Sequence, residues 1–274
     1  MSAELWVAEG SDAGGNPFRV VARYPGPGLK AAVEDAADYE FRTLQAVQAA
    51  GIPAPRPLGI GESPDGSFLL LEFLDGRATA HAENPEAYVA EFASALASVH
   101  RVDLSFGGLS FLLATRRQFV PGRTILNEEL GEREITDLLV GAGPQMVGED
   151  GLRHGDFWPG NILWQGGKIT GIIDWENALL GPAIADLAIS RLDVFWILGR
   201  AAMEEFTARY LACRPMDVAA LPYWDLRAAL RPMENLPEWA GPYSALDRPD
   251  ITPEHLRAVL LEFVDQALTR MASS

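Results

Sequence analysis

Hydrophobic and polar positions along this chain follow two different periods. Residues 4–9 (Glu-Leu-Trp-Val-Ala-Glu) and 18–24 (Phe-Arg-Val-Val-Ala-Arg-Tyr) are short runs rich in β-branched and aromatic residues. Asp12-Ala13-Gly14-Gly15-Asn16-Pro17 joins them, which predicts a β-hairpin with a long loop. Pro25-Gly26-Pro27-Gly28 breaks the strand. From 34 to 50 the period lengthens, and Phe41, Leu44 and Val47 fall three apart on a predicted helix that Gly51 stops. Pro53, Pro55 and Pro57 forbid its continuation. Ser67 to Phe73 then reads as a buried strand, ending at Leu74-Asp75-Gly76.

Beyond that break the pattern is mostly helical. Asn84-Pro85 caps a helix bearing Val89, Phe92, Leu96 and Val99, which His100-Arg101-Val102-Asp103 ends. Residues 104–150 are less regular, with Glu128, Glu129, Glu132, Glu134 and Asp137 reading as a solvated helix face. Leu187 to Leu198 is strongly apolar, and Met203, Phe206, Tyr210 and Cys213 form a further stripe. Tyr223 to Leu226 opens another helix, which Pro232 ends. Thr252-Pro253-Glu254 caps the last, with Leu256, Val259, Leu260, Phe263 and Leu268 inward. Residues 232–251 read as a Pro/Gly-rich loop carrying Glu234, Glu238, Trp239, Tyr243 and Asp247.

Composition narrows the class. The 274 residues are 48% hydrophobic and 22% charged, enough for a sizeable core. No run of about eighteen apolar residues is present to span a bilayer, and the first residues carry no basic-then-apolar export signal, so a cytoplasmic location is expected. A net charge of −16 argues against nucleic acid and anionic membranes as partners. One cysteine and four scattered histidines without HExxH exclude a disulfide framework and make a zinc site unexpected. GxSxG, GxxxxGK[ST] and GxGxxG are all absent.

The densest chemistry lies in His154-Gly155-Asp156-Phe157-Trp158-Pro159-Gly160-Asn161, followed by Ile172-Ile173-Asp174. Phosphoryl transfer asks a protein mainly for positioning and charge neutralisation: one carboxylate for the acceptor hydroxyl, and oxygen ligands for Mg²⁺. Asp156 suits the first role, Asn161 and Asp174 the second. Ile162-Leu163-Trp164 and Lys168 to Ile173 flank Gln165-Gly166-Gly167, which predicts a glycine-turned hairpin that returns Asp174 to Asn161. Two oxygen ligands would leave room for the phosphates with which Mg²⁺ is usually shared.

At these residues the chain resembles the aminoglycoside phosphotransferase and choline kinase-like group. HGDFWPGNIL is similar to that group's catalytic loop, and GIIDWE to its second metal-binding motif. The match is close over residues 150–192 and loose over most of the remainder. The resemblance implies an α+β, bilobal protein-kinase-like fold, with a β-rich nucleotide-binding lobe over 1–75 and a mainly helical catalytic lobe over 76–274. It implies ATP and Mg²⁺ as cofactors and a small hydroxylated molecule as acceptor. Asp156 becomes the catalytic base, Asn161 and Asp174 the metal ligands, and Asp186 with His154 the supports of the loop. Arg23, paired with Glu40, stands at the strand position usually held by lysine, and Glu72 and Leu74 fall at the hinge beside the nucleotide. Glu176, Glu234, Glu238 and Trp239 are the acceptor-side candidates.

The group also opens with one more strand and a glycine-containing loop, which are not seen ahead of residue 4. Either the reading frame starts upstream or the lid is curtailed and nucleotide binding is weak. The latter keeps open an alternative, a pseudokinase that binds nucleotide or ligand without catalysis. Oligomeric state and the identity of the acceptor do not follow from these residues.

Overall fold

The alternation over residues 4–24 folds as two antiparallel strands, β1 (Glu4–Ser11) and β2 (Pro17–Tyr24), in register from Glu4 opposite Tyr24 to Ser11 opposite Pro17. Asp12 organises their connection by accepting from the backbone N–H groups of Gly14 and Asn16 at 2.8 and 2.9 Å. This computed structural model describes residues 3–105, 108–114, 122, 124, 126–142 and 148–272. Parts of the stretch read as irregular (106–107, 115–121, 123, 125 and 143–147) lie outside the described residues.

After β2 come a short α1 (Pro27–Ala32) and the expected helix, α2 (Ala36–Ala49), capped by Asp35, whose side chain accepts from Asp38 N. β3 (Pro57–Ser63) and β4 (Gly66–Glu72) complete an antiparallel sheet in the order β1-β2-β4-β3. The proline and glycine pattern hides β3 from a sequence reading. Pro57 stands at its first residue, where a strand tolerates proline, and a bulge follows between Pro57 and Gly59. At Gly61 a Cβ would run into the Phe68 ring, so glycine is what lets that ring lie across the strand.

The break at 74–76 leads through β5 (Arg77–Ala78) to α3 (Pro85–His100), capped by Asn84. In α4 (Glu132–Ala142) the acidic stretch is only partly a solvated face: Glu132 is buried and accepts from Asn127 N at 2.7 Å, holding the turn that precedes the helix. β6 (Asp150–Arg153), β7 (Ile162–Gln165), β8 (Lys168–Ile172) and β9 (Leu179–Pro182) follow, with β6 paired to β9 and β7 to β8.

α5 (Ile184–Leu198) is buried along nearly its whole length. α6 (Arg200–Cys213), α7 (Leu221–Ala229) and α9 (Pro253–Ala272) pack around it. Arg191 of α5 forms a buried two-bond pair with Asp225 of α7, both bonds at 3.0 Å. The segment read as an irregular loop before α9 contains a 3-10 turn (Leu236–Trp239) and α8 (Ala240–Ala245), whose buried Leu236 and Tyr243 anchor it to the core. Tyr39 of α2 ties the small sheet region to this body by donating to Ala178 O at 2.8 Å. The whole is a bilobal, protein-kinase-like fold. Among the described residues, no helix is long and apolar enough to cross a membrane.

Candidate active site

β6 delivers the HGD loop into the cleft, and Asp186 at the start of α5 holds it there. One Asp186 oxygen accepts from Arg153 Nε and Nη2 at 2.8 and 2.7 Å. The other accepts from the backbone N–H of His154 and of Gly155 at 2.7 and 3.1 Å, and His100 Nε2 lies 3.5 Å from it. Burial alone would raise the Asp186 pKa; Arg153, His100 and the Gly155 N–H outweigh it and hold the group well below the carboxylate range. His100 itself is pushed down by burial, and its Nδ1 meets Tyr210 Oη at 2.7 Å.

His154 links the two motif segments. Its Nε2 donates to Ile173 O at 2.9 Å, and its Nδ1 accepts from Asp156 N at 3.3 Å, which fixes the neutral Nε2–H tautomer. Its ring packs 4.7 Å from that of Trp175. Asn161 Nδ2 donates to Asp156 O at 2.9 Å and reaches Asp156 Oδ2 at 3.2 Å. With Nδ2 so committed, Oδ1 is the atom left to meet a cation.

The hairpin closes as its glycines require. Gly166 and Gly167 both have positive φ (58° and 76°), and Ile162 pairs with Ile172. Ile173 N then donates to Asn161 O at 2.9 Å, bringing Asp174 beside Asn161. Asp174 adopts φ 65°, ψ 62°, a left-handed conformation that aspartate tolerates better than most residues and that aims its carboxylate at the small lobe.

Arg23 of β2 meets that carboxylate. Its Nη2 is 2.5 Å from Asp174 Oδ1 and 3.0 Å from Glu176 Oε2, while its Nε is 2.7 Å from Glu40 Oε1. Burial opposes the Arg23 charge, but Glu40, Asp174 and Glu176 more than offset it and raise its pKa. Burial pushes Glu40 up to about 7 against the pull of Arg23, and its Oε2 has no hydrogen-bond partner among the described residues. Glu176, expected on the acceptor side, instead closes this cluster, where it also accepts from Gly26 N at 3.0 Å. At the end of β4, Glu72 donates its N–H to Arg56 O at 2.9 Å and keeps its side chain half-exposed. The Leu74 side chain lies over Gly171 of β8.

On the far side of Asp156 opens a pocket of about 410 Å³, lined by Asp156, Trp158, Asp193, Arg231, Glu238, Trp239, Pro242 and Tyr243. Glu238 and Trp239 are therefore on the wall; Glu234 is exposed and outside that lining. Sequence reasoning missed two polar members, Arg231 and Asp193. Arg231 Nη2 lies 2.5 Å from Asp156 Oδ1. Asp193, buried in α5, accepts from Tyr243 Oη in a short hydrogen bond, and burial pushes it up to about 7. A charged residue inside the apolar run 187–198 was the available signal for Asp193. Arg231, next to a helix-ending proline, carried none.

The donor set fits a hard cation. Asp174 and Asn161 offer oxygen ligands, the type Mg²⁺ prefers. Among the described residues no cluster of three or more His, Cys, Asp or Glu could enclose a metal alone, so phosphate oxygens would have to share it.

The fold that carries these residues is protein-kinase-like. Residues 9–222 match the model of the phosphotransferase enzyme family (APH), and the chain belongs to that family. Over 230 residues it is 25% identical to acyl-CoA dehydrogenase family member 11 of Pongo abelii, covering 70% of this chain but 29% of that protein. The chain thus spans less than a third of the length of this curated relative. Its fold is similar to that of macrolide 2'-phosphotransferase MphH from Brachybacterium faecium, with TM-score 0.58, 20% identity, and 94% and 92% of the two chains covered. It is likewise similar to a thermostable mutant of aminoglycoside phosphotransferase APH(4)-Ia in ternary complex with AMP-PNP and hygromycin B, with TM-score 0.57, 18% identity, and 99% and 92% covered.

Proposed function

We propose that this chain transfers the γ-phosphoryl group of ATP, with Mg²⁺, to a hydroxyl of a small molecule. Residues 1–75 would form the nucleotide-binding lobe and residues 76–274 the catalytic and acceptor-binding lobe. The observation that carries this reading is the knitting of both motif segments by His154 and Asn161. Those bonds hold Asp156 at the mouth of the acceptor pocket and Asp174 beside Asn161.

In this reading Asp156 orients the acceptor hydroxyl and takes its proton. Its carboxylate is partly accessible, oriented by Asn161 on one oxygen and Arg231 on the other. Asn161 Oδ1 and the Asp174 carboxylate hold Mg²⁺, which when bound neutralises phosphate charge. Arg23 keeps Asp174 in place and stands next to the phosphates, with Glu40 fixing its direction. Trp158, Trp239 and Tyr243 give the acceptor pocket an aromatic lining, while Glu238 and Asp193 offer acceptor oxygens for its hydroxyl or amine groups. A neighbouring fold accommodates AMP-PNP with hygromycin B, which agrees with a two-substrate cleft.

The test is ADP formation across aminoglycosides, macrolides, amino alcohols, hydroxy amino acids and ketosamines. Asp156→Ala is expected to lose about 10²- to 10⁴-fold in rate with its fold intact. Turnover at the wild-type rate in that variant overturns the assignment. The second reading, a non-catalytic binding module, draws on the arginines that hold Asp156 and Asp174 in ion pairs. It predicts Mg·AMP-PNP binding by calorimetry with no ADP formed from ATP for any acceptor.

A further inference from the structure

We propose that Arg231 is a phosphoryl-binding catalytic residue, whose guanidinium neutralises the group in flight between nucleotide and acceptor. This rests on the phosphotransferase reading and adds to it a residue outside the loop motifs, supplied by the turn after α7.

Position comes first. Arg231 Nη2 lies 2.5 Å from Asp156 Oδ1. A hydroxyl oriented by Asp156 sits within about 3 Å of that carboxylate, and its oxygen attacks phosphorus from about 3–3.5 Å. The phosphoryl oxygens therefore come within reach of the same guanidinium. Available donors come second. Arg231 spends one nitrogen on Asp156; its Nε and Nη1 have no hydrogen-bond partner among the described residues, and 34% of its side-chain surface stays accessible. The Trp239 ring, 5.6 Å from the guanidinium carbon, supports it from one side.

Charge comes third. Asp156, Asp174 and Glu176 already crowd the centre, and the loop from Phe157 to Gly160 holds no cation. Arg23 is enclosed by three carboxylates. Arg231 is the only cation lining the acceptor pocket among the described residues. In the transfer, the acceptor O–H bond breaks and its proton passes to Asp156. The new O–P bond forms as the bond from phosphorus to the β,γ-bridging oxygen breaks, with its electron pair leaving on ADP. Protonation discharges Asp156 and frees the Arg231 charge for the phosphoryl oxygens.

Calorimetry with two probes tests this without knowing the acceptor: Mg·AMP-PNP for the ground state, and Mg·ADP with aluminium fluoride for the phosphoryl in flight. Wild type, Arg231→Lys and Arg231→Ala are expected to bind AMP-PNP within about twofold of one another. The tightening that fluoride confers on ADP should fall about tenfold or more in Arg231→Ala, with partial recovery in Arg231→Lys. Equal tightening in wild type and Arg231→Ala overturns the proposal, as does a loss of AMP-PNP binding that parallels the fluoride effect. Wild type that binds AMP-PNP but shows no tightening also overturns it, leaving nucleotide binding intact. Wild type that binds neither probe overturns the phosphotransferase reading itself.

Discussion

Arg23 Nη2 lies 2.5 Å from Asp174 Oδ1, so an inner strand of the small sheet is joined directly to the segment that follows the large lobe's hairpin. The same guanidinium holds Glu40 of α2 and Glu176, which shares the turn after β8 with Asp174, so one β2 side chain ties two other elements together. A planar fork with five donors can serve three carboxylates at once, whereas an ammonium is a single point of charge. This geometry gives a physical reason for arginine at residue 23, where one side chain must meet three carboxylates.

Removing that cation should be costly. Arg23→Met leaves the fully buried Glu40 without its partner, and breaking a buried pair from one side costs about 3–5 kcal/mol. Equilibrium urea unfolding should report a loss of that order, with Arg23→Lys intermediate. The double variant Arg23→Met, Glu40→Met should recover part of it, because the stranded carboxylate is gone. Additive losses in the double variant would show the pair to be uncoupled.

Asp186 is the second predicted weak point. Its two oxygens accept from Arg153 and from the backbone N–H groups of His154 and Gly155, so Asp186→Ala removes a buried ion pair and the acceptor of two backbone donors at once. The expected loss is again about 3–5 kcal/mol, accompanied by loss of phosphoryl transfer because Asp156 is two residues from His154. Wild-type urea midpoints and turnover in this variant would contradict a bracing role.

The pH dependence of stability should carry the signature of Asp193. Its folded-state pKa, about 7, lies above its ordinary 3.8 because the carboxyl is buried. The folded protein therefore holds this proton more tightly than the unfolded chain, and stability falls as pH rises from about 4 to about 7. Thermal melting at closely spaced pH values should show that decline, and Asp193→Asn, which keeps the shape without titrating, should reduce it, with Glu40, also pushed up to about 7 by burial, supplying the remainder. An unchanged slope in that variant would assign the dependence elsewhere.

Much of this site was legible because its chemistry is local. Asp156, Asn161 and Asp174 are fixed by a loop and a two-glycine hairpin, and both were readable from turn residues and spacing. The Arg23–Glu40 pair was legible only through the resemblance, since the contact crosses from β2 to α2. Glu176 was misplaced because the Asp174 backbone turns left-handed, sending the next residues toward Arg23 and away from the acceptor wall. Arg231 and Tyr243 reach the pocket through tertiary packing, one from the end of a segment read as a helix and the other from a segment read as a loop. β3 was hidden because its proline and glycines are tolerated there for contextual reasons: a first-residue position, a bulge and a neighbouring ring.

The tightest backbone approach in the site gives the sharpest stability test. Gly155 has φ 82°, and a Cβ there would collide with the carbonyl oxygen of Asn177 while lying 3.0 Å from the Asn177 Cβ. Two penalties combine in Gly155→Ala. The left-handed conformation disfavours any L side chain by roughly 1–2 kcal/mol, and the collision is with main chain, which cannot swing aside as a side chain could. Relief requires the HGD loop to separate from the turn after Asp174, which would loosen the His154 link between Asp156 N and Ile173 O. The variant is therefore expected to lose more than about 2 kcal/mol in urea unfolding and to lose turnover along with it. A Gly155→Ala protein with the wild-type unfolding midpoint and full activity would mean that the two loops are not held at this separation in the working molecule.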